Sequence, residues 1–196
     1  MTRLLLASRS AARRRMLEAA GVPFETVDAD VDEEALKAHL AHLDARALAQ
    51  ELADAKALAV EATPASLVLG SDQVLELDDG TMLSKAGLRE ELADQLRRMS
   101  GRTHRLHSAA AIAQGSNIVW RGAESVAMTM RPLSEDFIRA YLDAEFEKVR
   151  WSVGGYHVEG RGVQLFERIQ GSHFAVLGMP LLPLLTFLRE RELLAS

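Results

Sequence analysis

The stretch Leu67-Val68-Leu69-Gly70-Ser71-Asp72-Gln73 places a carboxylate directly after a short apolar run. Such a run reads as a buried strand, and Gly70-Ser71 reads as the bend that ends it. Asp72 then stands where the strand leaves the core. In open α/β folds that edge is where ligands bind. A carboxylate there can hold Mg²⁺ or take a proton from water. Aspartate also caps turns, so this position alone leaves both roles open.

A second chemical stretch opens the chain. Leu4 to Ala7 reads as a buried strand, Ser8-Arg9-Ser10 as its exit loop, and Ala11 to Ala20 as a helix capped by Ser10 and stopped by Gly21 and Pro23. A strand, a polar loop and a helix N-terminus make a layout that binds anions through free N–H groups and the helix dipole. Arg13 lies in the first turn, near such an anion, whereas Arg14 and Arg15 point about 100° and 200° further round. An ordinary capped helix with a solvated basic face has the same pattern.

Other polar residues are less directive. Asp28 to Glu34 holds five carboxylates in seven residues, mostly solvated or capping, with one or two free to face a metal. Lys56 lies one turn beyond Leu52, beside a helical core stripe of Leu48, Leu52, Ala55 and Ala59. There it either snorkels or reaches into a site. Gly154 to Gly162 is glycine-rich and lets backbone approach a ligand closely, or forms a surface loop. It matches neither the Walker phosphate loop nor the dinucleotide fingerprint. The six histidines form no zinc pattern, His39 and His42 included, and no nucleophile elbow exists.

The elements that must position these residues alternate. After the first helix come a weak strand at Phe24–Val27, helices at Ala35–Leu43 and Ala45–Ala62, and the strand at Leu67. Val74–Leu77 leads to a turn at Asp78-Asp79-Gly80, and Met82 to Gly87 forms a loop carrying Lys85. A helix follows on Leu88, Leu92, Leu96 and Met99, then strands at Thr103–Ala113 and Ile118–Met130. Ser134 caps a helix with Phe137, Ile138, Tyr141 and Leu142 on one face. A strand at Val163–Ile169 and a Leu-rich closing helix after Pro180 complete the chain.

At 196 residues, 48% hydrophobic and 26% charged, this is the composition of an ordinary folded protein with a sizeable core. A formal net charge of −5 gives no basic footprint for nucleic acid. The absence of cysteine excludes disulfides and thiolate chemistry and fits a reducing cytoplasm. Leu4 to Ala7 is too short for a membrane span or a signal-peptide core.

Taken together, the motifs resemble the Maf family of nucleoside triphosphate pyrophosphatases. Ser8-x-Ser10-x-x-Arg13, Val31-Asp32-Glu33, Lys56, Gly70-Ser71-Asp72-Gln73, Ser84-Lys85 and Ser100-Gly101-Arg102-Thr103-His104 follow the family's order. So do Glu159-Gly160, Phe166-Glu167-Arg168-Ile169 and Gly178-Met179-Pro180-Leu181. The resemblance implies a single Maf-like domain over residues 1–196, an α/β fold with a mixed sheet and two lobes around a deep groove. It implies a cytoplasmic enzyme, often dimeric, that uses a divalent cation (Mg²⁺ or Mn²⁺) and releases pyrophosphate from a nucleoside triphosphate. No nucleic-acid or membrane partner is expected.

On that resemblance the residues acquire roles. Ser8, Ser10 and the helix N–H groups would hold phosphate oxygens, and Arg13 would make a forked contact that lysine cannot. Lys56 and Lys85 would face the leaving pyrophosphate. Glu33 and Asp72 would share the metal, with Asp72 as general base. The pair Asp72-Gln73 with Glu159-Gly160 resembles the branch acting on 7-methyl-GTP. An amide and a carboxylate acceptor suit the donor edge of guanine. Three departures stand out. Ala11 and Ala12 replace a usual Pro and a frequent Arg. Ser84-Lys85-Ala86 replaces Gly-Lys-Pro, so the Lys85 loop is expected to be looser. His157 replaces a frequent Lys. The competing reading is a non-catalytic nucleotide-binding regulator of septum formation. A phosphotransferase is disfavoured by the missing phosphate-loop lysine.

Overall fold

The computed structural model describes residues 3–63 and 65–195. Among them the chain is α/β, with a seven-stranded mixed sheet in the order β2-β1-β3-β5-β6-β7, and with β4 paired to β3. The strands are β1 (Arg3–Ala7), β2 (Glu25–Val27), β3 (Ser66–Glu76), β4 (Met82–Leu83), β5 (Thr103–Gln114), β6 (Asn117–Met130) and β7 (Phe166–Gln170). The helices are α1 (Ala11–Ala19), α2 (Glu33–His39), α3 (Ala45–Leu58), α4 (Arg89–Met99), α5 (Glu135–Val149), α6 (His173–Val176) and α7 (Leu181–Glu190). Two compact units emerge. The first is 1–73, 107–124 and 172–196, and the second is 74–106 and 125–171.

In the first unit β1 pairs in parallel with both β2 and β3, Leu4 opposite Leu67 and Leu6 opposite Leu69. Because side chains alternate, these leucines share one face. They bury against Met16 and Leu17 of α1 and Leu184, Phe187 and Leu188 of α7. The other face receives α3. Ala45, Ala49, Ala53 and Ala57 recur every fourth residue and are all buried, so they form a ridge without bulk. The helix approaches so closely that a Cβ on Gly70 would lie 2.2 Å from the Ala53 carbonyl oxygen and 2.5 Å from the Ala57 nitrogen. Gly70 is therefore a packing glycine inside a strand.

That contact corrects the expected bend. β3 runs unbroken through Gly70, Ser71 and Asp72. Asp72 still lies at an edge, for a different reason: β1 ends at Ala7, opposite Gly70. The α3 stripe is also rotated and wider than expected, since Ala59 is exposed while Lys56 and Ala57 are buried. α3 stops at Leu58 rather than Ala62, and Leu58 and Ala59 are already exposed. α2 begins at Glu33, earlier than expected, because Asp32 accepts the Ala35 N–H at 3.0 Å and caps it.

In the second unit the Asp78-Asp79-Gly80 turn returns β3 antiparallel to β4, with Gly80 at φ +83°. α4 and α5 are tied at the surface by Arg97–Glu135 and Arg89–Asp143 ion pairs. The glycine-rich segment is not a free loop. Val153–Gly155 and Arg161–Leu165 form short 3₁₀ turns. A Cβ on Gly155 would collide with Leu92, and one on Gly154 with Tyr156 and Leu75. The close approach these two glycines permit is internal.

Behind this segment His104 is 1% exposed, with Nε2 2.7 Å from the Tyr156 hydroxyl and Nδ1 without a partner among the described residues. Burial pushes its imidazole down from 6.5 to about 4. The unfolded chain binds this proton below about pH 6.5, while the folded chain resists it until about pH 4. The stability from a neutral His104 is thus complete above pH 6.5 and is lost as pH falls toward 4. Urea unfolding is expected to show a loss of about 2 kcal/mol between pH 7 and pH 5 from this group. His104→Gln should remove that increment, and an identical pH slope in the variant would contradict the assignment.

Candidate active site

Alternation along β3 sets the site in the first unit. Gly70 and Asp72 point to the same face, and Gly70 draws α3 in. One turn along, Lys56 meets Asp72. Its Nζ is 2.5 Å from Asp72 Oδ1 and 2.9 Å from Glu33 Oε1. The Lys56 and Asp72 side chains are 11% and 10% exposed, and Glu33 is 33% exposed. The lysine does not snorkel. Glu33 reaches it because Asp32 caps α2 and so fixes Glu33 as its first residue.

Arg13 is built from the opposite end of the same unit. Ser10 Oγ accepts the Arg13 N–H at 3.3 Å, and Ser8 Oγ accepts from Arg13 Nη1 at 3.3 Å and from the Ser10 N–H at 3.2 Å. Arg13 Nε donates to the Gly178 carbonyl at 2.9 Å. Burial pushes its guanidinium down from its ordinary value, and the charges of Asp72 and Glu33 act in the opposite sense. Ser8, Ser10, Arg13, Glu33, Lys56 and Asp72 thus belong to one unit, with two carboxylates and two cations in electrostatic contact.

The odd positions of β3 serve a different purpose. Ser71 is fully buried, and its hydroxyl is shared between the carbonyls of Ala109 at 2.8 Å and Gly178 at 3.0 Å. Gln73 Nε2 donates to Ser108 Oγ at 2.9 Å and to the carbonyls of Ala175 and Val176 at 2.9 and 3.1 Å. Its donors are therefore used internally, which leaves Oε1 as an acceptor.

The sequence reading did not anticipate Gly178 as an anchor. Its carbonyl holds both Arg13 and Ser71, and it adopts φ +104°, where a side chain is disfavoured. Its glycine identity was visible, but its partner lies 165 positions away. Asp54 was also missed. It is buried, bonded to Gln50 at 2.9 Å and to Arg121 at 2.7 Å.

Lys85 and Glu159 belong to the second unit. Lys85 is exposed between β4 and α4 and makes no ion pair or hydrogen bond among the described residues. Glu159 is exposed in a turn closed by the Gly160 N–H on the His157 carbonyl at 3.1 Å. His157 Nε2 is 2.7 Å from Ser152 Oγ.

The donor set bears on a metal. Among the described residues no group of three or more His, Asp or Glu side chains could hold one. Glu33 and Asp72 instead converge on the Lys56 ammonium. Two carboxylates suit Mg²⁺, which binds through one or two of them together with waters and substrate phosphates. The pair fits a cation completed by phosphate oxygens, not an all-protein cage. His39 and His42 are exposed. No helix among the described residues is long and apolar enough to cross a membrane.

The profile of a family described as Maf-like protein matches residues 3–191. A nucleoside triphosphate pyrophosphatase of Sphingopyxis alaskensis is 49% identical over 193 residues, covering 97% of this chain and 98% of its own. Nucleoside triphosphate pyrophosphatase 1 of Jannaschia sp. (strain CCS1) is 46% identical across the full length of both chains. A nucleoside triphosphate pyrophosphatase of Caulobacter vibrioides is 43% identical over 96% of each.

Proposed function

The chain belongs to the Maf-like proteins, and from that premise we propose that it hydrolyses a nucleoside triphosphate to the monophosphate and pyrophosphate. The observation that carries this reading is the Glu33–Lys56–Asp72 cluster, its lysine and aspartate buried, in the unit that also holds Arg13, Ser8 and Ser10. The names and coverage of the relatives support the same activity. The continuous match over residues 3–191 supports treating the two units as one domain.

Water attacks the α-phosphorus, the bond to the bridging oxygen breaks, and pyrophosphate carries away the electron pair. The water's proton goes to Asp72, whose Oδ2 makes no hydrogen bond among the described residues. The Ser8 and Ser10 hydroxyls and the first N–H groups of α1 bind phosphate oxygens. Arg13, Lys56 and Lys85 stabilise charge developing on the phosphates and on the leaving group. Glu33 and Asp72 would hold a Mg²⁺ or Mn²⁺ ion, which supplies charge neutralisation and a more acidic water.

The base reading extends this. Gln73 keeps Oε1 as an acceptor because its amide nitrogen is bonded within the first unit, and the resemblance to the 7-methyl-GTP branch gives Glu159 the second acceptor role. Two acceptors suit the N1–H and exocyclic amine of guanine. Methylation at N7 makes the base cationic, which a carboxylate favours, so 7-methyl-GTP is the proposed substrate. The working site is cytoplasmic, and a homodimer is the proposed assembly on family grounds.

Pyrophosphate release across 7-methyl-GTP, GTP, UTP, CTP, dTTP and ATP with Mg²⁺ or Mn²⁺ tests this. The expected result is cleavage of 7-methyl-GTP with kcat/KM about tenfold or more above UTP and dTTP. A preference for UTP or dTTP would contradict the roles given to Gln73 and Glu159. Nucleotide binding without turnover would favour the regulator.

A further inference from the structure

Residues 84–87, between β4 and α4, carry Lys85 in a sequence with Ala86 where a proline would stiffen the backbone. The segment is nevertheless held at both ends. Gln95 Nε2, on α4, donates to the Ser84 carbonyl at 2.9 Å. Arg150 Nη2, at the C-terminal end of α5, donates to the Gly87 carbonyl at 2.6 Å. Between them Ala86 is 2% exposed. Arg150 is itself fixed, with its guanidinium 4.9 Å from the Phe146 ring centre and 5.1 Å from that of Trp151. Ser84 and Lys85 are exposed, and the Lys85 side chain makes no ion pair or hydrogen bond among the described residues.

Both clamping side chains leave one buried polar atom without a partner among the described residues, Gln95 Oε1 and Arg150 Nε. An apolar residue at either position would avoid that cost. Arg150 also pairs with Glu147 at 3.3 Å, and both side chains spend a donor on the backbone of 84–87. A cation on a fixed backbone loses less conformational freedom when it meets a phosphate, and it acts where charge develops.

We propose that Gln95 and Arg150 are positioning residues that hold Lys85 in one place for the leaving pyrophosphate. This rests on the pyrophosphatase reading above. The clamp replaces the rigidity that a proline at position 86 would have given to the segment.

A double-mutant cycle tests it. Gln95→Ala is made in the native chain and in Lys85→Ala, and kcat and KM are measured on the best-cleaved nucleotide of the panel. Hydrogen exchange of a peptide spanning 84–87 is followed in parallel. The expected result is a kcat loss of about tenfold with KM nearly unchanged, shrinking to less than about twofold when Lys85 is absent. Exchange in the segment should rise. An equal loss in both backgrounds, or unchanged exchange, overturns the proposal. Arg150→Lys is the second variant and should show the same dependence on Lys85. If the native chain releases pyrophosphate from no nucleotide, the pyrophosphatase reading fails by itself. The clamp is then judged on inorganic pyrophosphate binding. Weakening by both Gln95→Ala and Lys85→Ala supports it, and unchanged binding in Gln95→Ala overturns it.

Discussion

Asp72→Asn is expected to lower kcat on the best nucleotide by about 10³-fold, within the range for loss of a positioned acid–base group. The change is nearly isosteric. Asparagine Oδ1 still accepts from Lys56 Nζ, which lies 2.5 Å from Asp72 Oδ1 in the native chain. The fold should therefore hold, with a thermal midpoint close to that of the native protein. What disappears is the negative charge and the basic oxygen. Two consequences separate these losses. The Mg²⁺ concentration needed for half-maximal rate should rise, because one of two carboxylates is gone. The rate at saturating Mg²⁺ should remain low, because no oxygen at that position takes the proton. If Asp72 only completed a strand, the rate would change by less than about twofold. Steady-state kinetics across a Mg²⁺ titration distinguishes the outcomes.

Lys56→Met carries the second large effect, and it has two parts. The side chain is 11% exposed and neutralises Asp72, itself 10% exposed, together with Glu33. Removing one member of a buried ion pair leaves an uncompensated charge, which typically costs about 3–5 kcal/mol. Glu33 is a third exposed and can relax into water, so the lower end, about 3 kcal/mol, is expected in chelator. Mg²⁺ alone should restore part of it, because the cation then enters a site the ammonium filled. In the native chain Mg²⁺ without nucleotide should hardly move the midpoint. Activity should fall by about 10²–10³-fold, since one cation facing the phosphates is lost. Urea midpoints with and without Mg²⁺ check the first part, and kcat checks the second. An equal Mg²⁺ shift in both proteins would show that Lys56 does not occupy the cation position.

Local signals carried much of the fold. Leu4 to Ala7, the Ser10 cap, the Gly21 stop, the Asp78-Asp79-Gly80 turn and the Ser134 cap are all written in short-range chemistry, and all are present. Val126, Met128 and Met130 alternate on the buried side of β6 as expected. The failures share one cause. Gly70-Ser71 looks like punctuation until the alanine ridge of α3 is laid against it. Local sequence does not reveal which helix faces which strand. The same holds for Gly154 and Gly155, which accept Tyr156 and Leu92 rather than a ligand.

The candidate site divides in the same way. Arg13 with its serines was legible because the anion layout is contiguous in sequence. Lys56 was ambiguous, because whether a helix lysine snorkels depends on a carboxylate sixteen residues away. The Gly178 carbonyl was illegible, since a backbone acceptor leaves no mark on residue type. The hydrogen bonds that hold the Ser84 and Gly87 carbonyls were not legible in 84–87 itself, because their donors, Gln95 and Arg150, lie elsewhere in the chain.

In the proposed reaction water attacks the α-phosphorus, not the β- or γ-phosphorus. Hydrolysis of the best nucleotide in ¹⁸O-labelled water, with mass analysis of both products, tests it most directly. One labelled oxygen is expected in the nucleoside monophosphate and none in the pyrophosphate. Label in the pyrophosphate, or products of diphosphate and orthophosphate, would contradict it.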